Sequence, residues 1–224
     1  MKLYSIQIAL FARDEIQRPD LLLNKADEKL GKIFDAPPQI MMNYALMVPN
    51  DVPIAHIQSR NNIYTLNIAR NRADLIITPN FEENSSPMDS YKNNKQIIEK
   101  YCRAILEELV VIRMGVIITL FEPSSNGVKA IYDKYFTEEY CAGCIEANYK
   151  INKQTQDKGI VYNHVKTVNA ATLHVGVDDH QGVIIQLDTN TAIDPKIVFT
   201  SELITNLLNL AIGKIKPSAL KELI

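Results

Sequence analysis

The chain has 224 residues, 46% of them apolar and 22% charged, and its 24 Lys and Arg against 26 Asp and Glu leave a net charge of −2. This is the composition of an ordinary globular protein rather than a disordered tail, and no apolar run approaches the roughly 20 residues that cross a bilayer. No short stretch is dense in Lys and Arg, so nothing favours a nucleic-acid partner.

The start, Met1 to Gln7, alternates polar and apolar residues and then meets Arg13, Asp14 and Glu15 instead of the apolar core of a signal peptide. Three cysteines in such a chain cannot build a disulfide framework. The expected location is the cytoplasm, with no membrane partner.

Period-two alternation predicts a first strand over Leu3–Phe11, with Tyr4, Ile6, Ile8 and Leu10 on one face. A helix opens at Pro19-Asp20, with Asp20 placed to cap it, and Gly31 and Pro37-Pro38 end it. Four strands follow at Gln39–Met47, Val52–Gln58, Ile63–Ala69 and Asp74–Thr78, divided by turns short enough for an antiparallel meander. Pro79 to Asn94 reads as a polar loop centred on Asn84-Ser85-Ser86-Pro87. It leads into a long helix whose apolar stripe includes Ile98, Tyr101, Cys102 and Ile105.

The second half repeats this order. Met114–Phe121 predicts a strand, Val128 to Phe136 a short helix, then Ile145–Ile151, Ile160–Val168, Thr172–Val177 and Val183–Leu187 four strands. A last helix starts at Thr200-Ser201-Glu202, and Pro217 interrupts it. Residues 1–112 and 113–224 therefore both read β-α-β-β-β-β-α. Paired stretches such as Ile8-Ala9-Leu10-Phe11 and Ile118-Thr119-Leu120-Phe121 point to an internal duplication. One such unit leaves sheet edges and a sheet face uncovered. The expected fold is α+β: two halves fused into one unit, their antiparallel sheets joined edge to edge or packed face to face, with helices outside.

Candidate chemistry is sparse. Cys141-Ala142-Gly143-Cys144 has the spacing of a redox or metal-binding pair, but it follows a helix instead of starting one, where a dipole would activate the thiol. A zinc ion would need two further ligands, and only His164 and His174 lie on nearby predicted strands. The plain reading is a helix-to-strand turn, with no metal and no cofactor. Eight glycines include no phosphate-cradling loop. Arg60, Arg70 and Arg72 flank one predicted hairpin, where three guanidinium groups could gather for an anionic partner.

Over its full length the pattern resembles an uncharacterised, sporadically distributed bacterial family of two-half α+β proteins. The residues that carry this are Arg113-Met114-Gly115-Val116-Ile117-Ile118 at the opening of the second half and Ile185-Gln186-Leu187-Asp188-Thr189-Asn190-Thr191 before the last helix. A second arginine and a second aspartate of the family's motifs are absent here. The family has no established activity, so the resemblance implies a fold and no reaction. Each half is also similar to half of a double hot-dog thioesterase, although only Asp27 and Glu28 offer an acidic group in the relevant helix.

Two functions follow as expectations. The first is a non-catalytic cytoplasmic binding protein, of an immunity, antitoxin-like, chaperone-like or phage-derived kind. It would hold a protein partner, or a second copy of itself, through sheet edges or the groove between the halves. The alternative is a small-molecule enzyme or ligand sensor with a pocket between the halves, using residues such as Glu122, Asp188 or His174.

Overall fold

The computed structural model describes residues 1–41, 48–81, 86–137, 143–175 and 178–223. The first half contains β1 (Lys2–Ala12), α1 (Pro19–Lys29), β2 (Gln39–Ile40), β3 (Ala55–Gln58), β4 (Tyr64–Ile68), β5 (Arg72–Ile77) and α2 (Pro87–Leu106). The second contains β6 (Val111–Pro123), α3 (Gly127–Tyr135), β7 (Asn148–Asp157), β8 (Ile160–Val175), β9 (Asp178–Thr191), α4 (Ser201–Gly213) and the short α5 (Pro217–Leu220). The fold is α+β.

Local chemistry accounts for most boundaries. In β1, a register shift between Leu3 and Ser5 turns Tyr4 out to 37% exposure, while Ile6, Ile8 and Leu10 keep the predicted inward parity and are fully buried. The α1 helix starts at Pro19 as expected, but Asp20 lies inside its first turn, where it is paired with Arg18 at 2.7 Å and does not cap it. Gly31 just past its end has φ +84°, the left-handed conformation that closes a helix at low cost.

α2 begins well before Asn94. Ser86 accepts the backbone N–H of Asp89 at 3.1 Å, and Pro87 occupies the first turn. Within its polar start Ser90 and Asn94 are buried, and Asn94 is satisfied there. Asn94 donates to the Ser90 carbonyl at 2.8 Å and accepts the Tyr64 hydroxyl at 2.8 Å.

Among the described residues the strands form one nine-stranded antiparallel sheet, in the order β2-β3-β4-β5-β1-β6-β9-β8-β7. The halves meet edge to edge: β1 and β6 pair from Lys2 opposite Phe121 to Ala12 opposite Val111. On either side of this seam the order mirrors itself. The last strand of each meander returns to pair with the first strand of its own half, β5 with β1 and β9 with β6.

In the second half β7 and β9 are longer than predicted, β9 opening at Asp178 instead of Val183, and the largest departure is at β8. Ile160–Val168 and the described part of Thr172–Val177, separated in the sequence by a supposed turn at Asn169-Ala170, belong to the single strand β8 (Ile160–Val175); residues 176 and 177 lie outside the described residues. Asn169 stands opposite Asn148 on one side and Ile184 on the other, and Ala170 opposite Val183, so both keep ladder partners. The real turn of this region is Lys158-Gly159. Its φ values of +48° and +82° suit a two-residue hairpin. Among the described residues three strands therefore follow α3, not four. The predicted strand Gln39–Met47 is seen over Gln39–Ile40, and residues 42–47 lie outside the described residues.

All the larger helices pack on one face of the sheet. α1 lies on β3 and β4, α2 on β1 and β5, α4 on β6 and β9, and α3 on β7, β8 and β9. One apolar cluster runs through both halves beneath them, including Ile8, Leu75, Ile98, Val116, Ile118, Ile131, Ile185 and Leu207. Among the described residues no helix is long and apolar enough to cross a membrane.

Candidate functional site

Because strand side chains alternate, every residue that points away from the helices emerges on the opposite face of the sheet. One row of this open face crosses every strand: Gln39, His56, Asn67, Asp74, Ala9, Gly115, Asn190, Asn163 and Gln154 stand opposite one another in turn. Its polar members are tied across strands. His56 Nδ1 lies 2.7 Å from Asn67 Oδ1, Asn163 donates to Asn190 at 2.9 Å, and Gln154 donates to Asn163 at 2.8 Å. Asn190 also donates to Asp188 at 2.9 Å.

Two residues along β1, at the seam between the halves, lies a row of different character. Phe11 stands opposite Arg72 of β5 on one side and Arg113 of β6 on the other. The guanidinium carbons lie 5.8 Å and 4.8 Å from the centre of its ring, within reach of the π face. The two arginines are not equivalent. Arg72 Nε lies 2.9 Å from Asp74 Oδ2, and Gln7 donates to the other oxygen of Asp74 at 3.2 Å.

Asp74 is only 2% exposed. Burial pushes its carboxyl above the usual range, while Arg72 and Gln7 pull it back part of the way. Arg113 forms no such ion pair among the described residues, and its Nε, like that of Arg72, is buried without a well-aligned hydrogen bond. A desolvated donor without an acceptor is costly. The arrangement holds a cation beside an aromatic ring, with capacity left for an anionic group supplied from outside.

The predicted arginine cluster divides. The β3–β4 and β4–β5 turns lie at opposite ends of β4, as successive turns of a meander must, so Arg60 stands at one end and Arg70 and Arg72 at the other. Arg60 donates to the Asp35 carbonyl at 3.2 Å. Arg70 is engaged by the Val48 carbonyl at 2.7 Å and Glu15 at 3.5 Å, which leaves Arg72 as the member that reaches the open face.

His164 and His174 are both on β8 but ten positions apart, roughly 33 Å at the rise of a strand. His164 Nε2 lies 2.8 Å from Thr155 Oγ1, and burial and nearby Lys214 push its pKa down. His174 Nδ1 lies 2.5 Å from Asp179 Oδ1 at an exposed position. Cys144 is exposed and Cys141 lies outside the described residues. No group of three or more His, Cys, Asp or Glu side chains among the described residues could hold a metal ion.

Glu122, Asp188 and His174 are likewise dispersed, with Asp188 on the open face beside Gly115 and His174 near the far end of β8. The sequence reading missed Phe11 and Arg113. Phe11 has the parity opposite to Ile8 and Leu10, which marks an outward aromatic, but only the pairing of β1 with β6 reveals its cationic neighbour. No protein-family model matches the chain, and no curated protein matches it.

Proposed function

We propose that this chain is a non-catalytic binding protein that holds an acidic segment of a protein partner against the open face of its sheet, over Arg72, Phe11 and Arg113. The observation that carries the reading is Arg113, a cation 4.8 Å from the Phe11 ring centre on the face away from the described helices, near one end of the β1–β6 seam, with no ion-pair partner among the described residues. Charge-assisted hydrogen bonds from arginine to carboxylate are strong and directional. The resemblance-bearing residues Arg113 and Asp188 both emerge on this face, which gives the likeness to a two-half bacterial family a shared location.

Immunity, antitoxin-like, chaperone-like and phage-derived factors working in the cytoplasm all fit such a surface. Duplication of an ancestral unit is part of the same proposal, supported by the mirrored strand order about the β1–β6 seam. The decisive test is native mass spectrometry of the protein purified gently from its host, as wild type and as Arg113→Glu. A protein partner held by the wild type, lost from the variant and released by raised salt supports the reading. A partner retained by Arg113→Glu moves the site elsewhere, and a small bound mass without any protein overturns it.

A further inference from the structure

A second site lies on the other side of the sheet, away from the open face. Between the β7–β8 hairpin and the end of α4 is a cavity of about 320 Å³ whose walls include Tyr149, Ile151, Leu187 and Leu223. Into this apolar lining the fold brings Lys153, His164, Lys166 and Lys214. Glu222 is the one acid of the described lining.

The two best-buried lysines are held by neutral oxygens. Lys214 donates to Thr189 Oγ1 at 2.6 Å, and Lys166 to the Tyr135 hydroxyl at 2.7 Å. Tyr135 stacks on Tyr149 with ring centres 4.2 Å apart, and Lys166 lies 4.6 Å from the Tyr135 centroid, so the ammonium sits against an aromatic wall. An ammonium has three donors, and one neutral acceptor leaves the others to be filled. His164 adds a buried Nδ1 without a partner among the described residues.

We propose that this cavity binds a small organic anion, with its carboxylate or phosphate head against Lys166 and Lys214 and its apolar body against Tyr149, Ile151 and Leu187. The electrostatics agree. Burial pushes the pKa of all three groups down, helped by Lys134 and Lys153 at Lys166 and by Lys214 at His164; Lys214 falls to about 8 even though Asp188 pulls it upward. The volume suits one ring or a short chain. This inference is independent of the open-face reading, since the two sites lie on opposite faces and share no residue.

The test is calorimetric titration of the full chain with phenyl phosphate, benzoate, inorganic phosphate and benzyl alcohol. Phenyl phosphate or benzoate should bind, inorganic phosphate at least tenfold more weakly, and benzyl alcohol not measurably. Lys214→Met and Lys166→Gln should each weaken the organic anion at least tenfold, while Lys92→Gln, at an exposed position on α2, leaves it unchanged. Thermal melts establish that the variants fold. The proposal is overturned if neither organic anion binds, if Lys92→Gln matters as much as the cavity variants, or if inorganic phosphate binds as tightly as phenyl phosphate. Whichever organic head binds more tightly identifies the class of ligand.

Discussion

The two faces of one sheet handle polarity in opposite ways. Under the helices, Ile6, Ile8, Leu66, Leu75, Val116 and Ile118 are fully buried, and Cys102 and Tyr101 packed among them stay neutral. Burial pushes the Cys102 thiol up to about 12 and the Tyr101 hydroxyl well above its usual value. On the open face the side chains between the same strands are Gln7, Asn67, Asp74, Asp188 and Asn190, and charge is retained by pairing, as in Arg72 with Asp74. Neighbouring positions of a single strand thus serve a core and a surface. A period-two pattern selects which residues go together, and the helices select which set is dry.

The contrast breaks most readily at adjacent residues of β1. Ile8→Ala should cost ~3–4 kcal/mol, because it empties a closely packed site under the helices. Gln7→Ala beside it should cost about 1 kcal/mol, the worth of its bond to Asp74. Urea unfolding of the pair measures both, and equal losses would mean that the open face is covered as firmly as the other.

The register of β6 with β9 is the next point of leverage. A Cβ on Gly182 would lie 2.3 Å from the Glu122 carbonyl oxygen and 2.6 Å from the Phe121 ring. Gly182→Ala should therefore destabilise by ~1–3 kcal/mol through overpacking, read as a lower melting temperature. An unchanged melt would show that this end of the sheet can shift.

Buried charges sharpen the comparison through pH. Lys214 on the helix side has a folded pKa of about 8 against a higher unfolded one, so between the two the unfolded chain binds more protons. Its penalty is full below pH 8 and is relieved as pH rises towards the ordinary lysine value. Lys214→Met should melt higher than wild type at pH 7, and that advantage should shrink above pH 8.

Asp74 runs the other way. Its folded pKa is raised above the unfolded one, so the folded chain holds the extra proton between them and stability falls as pH rises through that window. Asp74→Asn should remove this slope, as melting curves across acidic pH will show. The smallest effect on folding is expected at Arg113, whose contact with Phe11 is worth about 1 kcal/mol or less. Arg113→Glu should leave the melt nearly unchanged while abolishing partner binding.

Much of the architecture was legible in the residues themselves. Alternation in Ile6-Gln7-Ile8-Ala9-Leu10 announced β1, Thr200 does accept the backbone N–H of Leu203 at 3.2 Å as the start of α4 required, and Asn126 does the same for Lys129 at 2.9 Å in α3. Where the reading slipped, tertiary contacts had overridden a local signal. The polar run before Asn94 looked like a loop because its residues are hydrophilic, yet Tyr64 and Ser90 satisfy Asn94 from β4 and from its own helix. Asn169-Ala170 looked like a turn, yet strands on both sides hold it extended.

The sequence by itself determined the α+β class, the element order of the first half and the shared inward face of Ile6, Ile8 and Leu10, because these depend on neighbours a few positions apart. Only the tertiary structure decided that β1 and β6 join the halves into a single sheet, that Arg113 meets Phe11 while Arg60 is carried away from Arg72, and that lysines distant in the chain surround one cavity. Each is a pairing between residues tens of positions apart. Its register is set by the packing of whole faces, which no short stretch of residues encodes.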